Sequence, residues 1–140
     1  MNQHRKALLI LLRAVAVMGL SALAAVLMPH AWMDWFHQLA GLGTLPDLPV
    51  VGYATRSLSL FYVWIGVLAL YMTFDLERHL PLIRFFSLTG VGAGFFLTGI
   101  DLFAGLPWWW TAAEGAFAVL YFGALWWLSD RLIRNGKSSP

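Results

Sequence analysis

Three ionisable side chains stand inside apolar sequence: Arg56, Asp101 and Glu114. An ionised group in hydrocarbon costs upward of ~2.5 kcal/mol on the mildest scale, so each needs a partner. Two carboxylates against one guanidinium leave a surplus negative charge, which invites a proton, a cation or a metal. Tyr53, Thr98 and Tyr121 fall on the helix faces that would present these charges, and they complete a candidate polar cluster. A second set is His30, Asp34 and His37, recurring at i, i+4 and i+7. Two imidazoles and a carboxylate suit zinc or another borderline divalent metal. The same stripe is also what the water-facing side of a surface helix looks like, and no HExxH accompanies it. Ser57 and Ser59 have no base placed beside them, so nothing marks a nucleophilic serine. With no cysteine in the chain, disulfides, thiolate metal sites and cysteine nucleophiles are excluded.

The elements that carry these residues are helices of membrane-spanning length. Hydrophobic residues make up 60% of the 140-residue chain and charged residues 11%, too few to cover a soluble domain. Spans are expected at about 7–28, 50–74, 82–104 and 107–128, each near the ~20 residues that a ~30 Å hydrocarbon layer requires. A basic head before the first span also describes a signal peptide, with Ala22-Leu23-Ala24 resembling a cleavage site, but Arg13 interrupts the run and the run is long. Residues 30–41 are too short to span. Trp32, Trp35, Phe36 and Leu39 share one side there, the pattern of an amphipathic helix lying at the interface. Gly41, Gly43, Pro46 and Pro49 make the following stretch irregular. Asp75–Pro81 reads as a tight charged turn, Gly105-Leu106-Pro107 as a second turn, and the segment after Leu128 as a basic, fraying tail. The fold class is therefore all-α: a single polytopic domain, a four-transmembrane-helix bundle with one short outer interfacial helix.

Charge sets the orientation. With four spans, Arg5, Lys6, Arg78, Arg84, Arg131, Arg134 and Lys137 share the side of the N-terminus, and the other side has only Arg56. The positive-inside rule puts both termini in the cytoplasm. Arg56, Asp101 and Glu114 then come to similar depth, within about two turns, ~5.4 Å each, of the outer boundary. On the third span Gly90, Gly94, Thr98 and Asp101 lie within about 80° at ~100° per residue. Gly90-x-x-x-Gly94 is the small-residue pattern that lets helices approach, so Asp101 is expected to face protein. Thr111-Ala-Ala-Glu114 has the spacing of a capping box, which would put Glu114 at the water boundary instead. The net charge of +2 and the lack of a basic run with interleaved aromatics give no footing for nucleic acid.

Taken together, LLRAVAV, MPHAWMDWFHQLAGLG, YATRSLSLFYVWIGVLALYMTFDLERHLPLIRFF and GIDLFAGLPWWWTAAEG resemble a group of small bacterial four-helix membrane proteins and, more distantly, the DoxX-like superfamily. The specific pieces are Arg56 in ATRSLS, Asp101 in GIDLFAG and Glu114 after the tryptophan run. The resemblance implies a multi-pass protein of the bacterial inner membrane. Some members of the wider superfamily are associated with quinone-linked sulfur oxidation beside a second subunit. This chain has no motif that binds a redox cofactor, so no catalytic residue is carried over. Two functions fit. One is a non-enzymatic accessory or scaffold subunit, in a larger membrane complex or a homo-oligomer, held together by the Arg-Asp-Glu cluster. The other is a lipid-, quinone- or cation-binding protein with an outer-leaflet site around the same three charges.

Overall fold

Every regular element in the computed structural model is a helix; it describes residues 3–137, and no strand occurs among them. Four helical stretches are long and apolar enough to cross a membrane: Gln3–Leu27, Pro49–Phe74, Leu76–Ala104 and Trp108–Gly136. The first is α1 (Gln3–Ser21) followed, after Ala22, by α2 (Leu23–Leu27). Pro29 stops it. The residue before a proline is pushed out of helical geometry, and Met28 is extended at φ −68°, ψ 133°. Pro29 then opens α3 (His30–Leu39). Gly41 and Gly43 follow with φ of 73° and 84°, left-handed values that glycine takes without strain. Pro49 is the first residue of α4 (Pro49–Phe74), where its missing N–H costs nothing.

Three expectations are corrected here. Asp75–Pro81 is not a turn: only Asp75 breaks the chain, and α5 (Leu76–Ala104) starts immediately after it. The Asp75 carboxylate accepts the Arg78 N–H at 3.2 Å, an N-cap strong enough to start a helix through Pro81. Glu77 in the first turn adds favourable charge at the helix N-terminus. Within the described residues the last helix does not fray after Leu128, and the rest of the expected tail, residues 138–140, lies outside them. It runs as α6 (Trp108–Thr111), a π-helical turn (Ala112–Ala116) and α7 (Phe117–Lys137). Leu125, Leu128 and Ser129 are buried, and Asp130 is ion-paired with Arg134 one turn on at 2.7 Å and with Arg84 of α5 at 3.3 Å. Finally, no capping box forms at Thr111: the helix already begins at Trp108, and the Thr111 side chain makes no cap bond.

By internal contacts the chain divides into two units. The first holds the chain up to Leu12 together with Met72 onward; the second is Arg13–Tyr71. In the first unit Leu8, Leu12, Met72, Leu76, Ile83, Leu125 and Leu128 are buried. In the second, Val15, Ala16, Met33 and Ala69 are buried, and α1 meets α4 at Gly19 and Gly66. A Cβ on Gly19 would lie 2.7 Å from the Gly66 Cα, so the two backbones touch and neither position accepts a side chain. Only 17–22% of the most apolar window of each long helix is buried. The remainder, Phe103 at 97% exposure the extreme, presents apolar side chains outward.

Candidate functional site

The antiparallel pairing of α5 with the α6–α7 segment sets which residues meet. A Cβ on Gly94 would lie 2.8 Å from Val119 Cγ2 and 2.9 Å from the Val119 nitrogen. A Cβ on Gly115 would lie 2.9 Å from the Thr98 nitrogen and 3.0 Å from its Cα. Nearer the other end, Gly90 faces the Phe122 ring and Arg84 reaches Asp130. These pairs follow one register. One helical turn beyond Thr98 on α5 is Asp101, and one turn before Gly115 is Thr111. The register therefore puts Asp101 level with Thr111, on the two sides of the turn that Gly105 makes at φ 69°.

Both are buried, Asp101 at 3% exposure and Thr111 at 9%. Asp101 Oδ2 and Thr111 Oγ1 are fully enclosed and have no hydrogen-bond partner among the described residues. The other buried hydroxyls behave differently. Ser59, Ser87 and Ser129 each donate to a carbonyl of their own helix, at 2.9, 2.6 and 2.9 Å. Thr98, half-buried beside Gly115, does the same with the Gly94 carbonyl at 2.9 Å. A buried polar atom left unpaired costs about 1–3 kcal/mol, more for a charged group, and is rare in folded proteins. Two at one level of one helix pair mark this end of the hairpin.

Glu114 lies in the π turn next to Gly115, half-buried, and its Oε2 accepts the Trp110 indole N–H at 2.8 Å. A π turn is rare and recurs at functional sites. Asp101, Thr111 and Glu114 thus belong to one unit. Arg56 belongs to the other, where its guanidinium donates to the Met28 carbonyl at 3.1 Å and the Gly52 carbonyl at 3.4 Å. It completes the C-terminal end of α2, the place where a helix favours a cation. Tyr121 donates its hydroxyl to the Leu11 carbonyl of α1 at 2.7 Å. Tyr53 is exposed, and with Ser57, Leu60, Phe61, Val63 and Trp64 it lines a groove of about 710 Å³ along α4.

His30, Asp34 and His37 serve the loop after α3. His30 Nε2 sits 3.8 Å from Asp47 Oδ1, and His37 Nδ1 is 2.9 Å from the Gly43 carbonyl. Asp34 accepts the Leu45 N–H and the Gln38 side-chain amide, both at 2.7 Å. Among the described residues no three His, Cys, Asp or Glu side chains come together as a metal site. His37 and Asp34 fasten Gly43 and Leu45 onto α3, while His30 Nε2 is buried without a hydrogen bond among the described residues.

Thr111 shares a helix face with Glu114 and Tyr121, yet nothing in the sequence alone singles it out as a site residue. The available signal was the pairing of two small residues, Gly94 and Gly115, which fixes what stands one turn further on. Comparison with known proteins adds no relative: no family model, curated protein or solved structure matches this chain.

Proposed function

We infer that this chain is a multi-pass integral membrane protein that binds a small polar ligand or cation inside the bilayer, without chemistry of its own. The membrane assignment rests on four long helices whose apolar side chains mostly face outward. Water does not accommodate so much contiguous apolar surface, and a hydrocarbon layer does. The positive-inside rule puts both termini on the cytoplasmic side of a bacterial inner membrane, which turns the Asp101 end of the hairpin toward the outer face. Kinship with DoxX-like proteins belongs to the same proposal and rests on span order and on the segments around Arg56, Asp101 and Glu114.

The observation that carries binding is the Asp101 carboxylate, enclosed and short of a partner on Oδ2. An ionisable side chain within a membrane span is by default a functional-site hypothesis. The test is native mass spectrometry of wild type and Asp101→Asn released from the same detergent. The wild type should retain an adduct that the variant loses, with equal helical content by circular dichroism. Identical spectra, or a variant that only loses stability, would return Asp101 to a purely structural role.

A second reading, an accessory or scaffold subunit, is favoured by the groove on α4, whose lining residues all come from that one helix. An exposed aromatic helix face suits another helix. A photocrosslinker at Phe61 should then capture a protein, either a second copy or a larger complex; crosslinks to lipid alone would count against it.

A further inference from the structure

The hairpin of α5 with α6–α7 carries its charges unevenly. From Phe85 to Leu128 it contains Asp101 and Glu114 and no Lys, Arg or His. Within this unit the paired bases sit at the other end: Arg5 beside Glu77, and Arg84 and Arg134 on Asp130. Glu114 is already engaged by the Trp110 indole. Asp101 lies in the last turn of α5, where the helix's partial negative charge adds to its own. Oδ2 of Asp101 and Oγ1 of Thr111 stand at one level and do not hydrogen-bond each other.

A proton on Oδ2 would neutralise the charge but would not bring it within a hydrogen bond of Thr111 Oγ1, with which it does not pair. A water between the two oxygens would satisfy them but leave the charge uncompensated in a low dielectric. A small cation does both. The donors are oxygens alone, with no thiolate or imidazole in this part of the hairpin, which selects a hard cation over zinc or copper. One unengaged buried carboxylate supplies a single negative charge. We propose that Asp101 and Thr111 are the protein half of a monovalent-cation site whose occupant is Na⁺. This rests on the binding reading above and names its ligand.

The test is thermal unfolding of the full-length protein in detergent, followed by the fluorescence of its eight tryptophans, with NaCl replaced stepwise by choline chloride at constant ionic strength. Ligand that binds only the folded state raises the midpoint with concentration. The wild-type midpoint should rise saturably with Na⁺ and stay flat in choline. Asp101→Asn should abolish the response. Thr111→Val, which removes one neutral oxygen, should raise the half-saturating Na⁺ about tenfold. If Asp101→Asn does not fold, Thr111→Val decides: an unchanged half-saturating concentration overturns the proposal. So does a sodium response kept in Asp101→Asn, or a midpoint that follows pH and ignores Na⁺. A wild type indifferent to Na⁺ whose adduct is still lost in Asp101→Asn removes sodium and leaves the binding reading standing. Indifference without such an adduct removes both.

Discussion

The two aspartates of the α5–α7 hairpin make a controlled pair. Asp130, near the basic end, forms ion pairs with Arg134 on its own helix and Arg84 on the facing one, at 2.7 and 3.3 Å. Asp101, at the opposite end, is more deeply buried and has an oxygen with no donor at all. Same helix pair, same chemical group, opposite provision. Where an acid serves only to hold helices together, its partners are present in the fold, as at Asp130. The lack of one at Asp101 Oδ2 is the difference on which the proposed site rests.

The most damaging way to break the comparison is to destroy the register that defines it. Gly115→Val would force a side chain against the Thr98 backbone, where a Cβ already stands 2.9 Å from nitrogen. Overpacking typically costs about 1–3 kcal/mol, and backbone cannot yield as a side chain does, so the loss should reach at least the top of that range. Size-exclusion chromatography and thermal unfolding in detergent would show it, with Gly123→Val, at a glycine with open space around it, as the control.

The aspartates themselves should then respond with opposite signs. In sodium-free buffer Asp101→Asn should leave the protein as stable as wild type or raise stability by about 1 kcal/mol, since an uncompensated buried charge becomes neutral. Asp130→Asn should lower it by up to about 1 kcal/mol; both arginines are substantially exposed, and solvent screens such pairs. Matching signs from chemical or thermal unfolding would erase the distinction. Tyr121→Phe should also cost about 1 kcal/mol, the net worth of its bond to the Leu11 carbonyl. The smallest change is expected from Thr111→Val without sodium, because the hydroxyl it removes has no partner to lose.

Much of this architecture is local and so could be read without coordinates. Four long apolar runs, a short helix after Pro29 and a turn at Gly105 follow from hydropathy, proline and glycine chemistry alone. What escaped depends on neighbours distant in sequence. DLERHLP looked like a turn because it is charged and ends in proline, yet Asp75 makes it a helix start. The segment after Leu128 reads as a fraying tail, but to Lys137 it is helix, and Arg84, far back on α5, pairs with its Asp130. The expectation that Arg56 needs a carboxylate ignored the unpaired carbonyls at a helix end, and Met28 supplies one. Asp101 was legible as a candidate because charge is costly in apolar sequence; Thr111 was not, because only the register reveals which residue it faces.

The π turn at Ala112–Ala116 leaves a mark on how this segment tolerates change. Such a turn is one residue more than an ordinary helix needs. Deleting a single codon there would give back an unbroken α-helix and leave Trp108–Thr111 facing about where it does now. The same deletion within the ordinary helix of α7 would swing that segment by about 100° around the axis and carry the threonine off the face it shares with α5. The spare residue lets this spot lose a link without turning the chain.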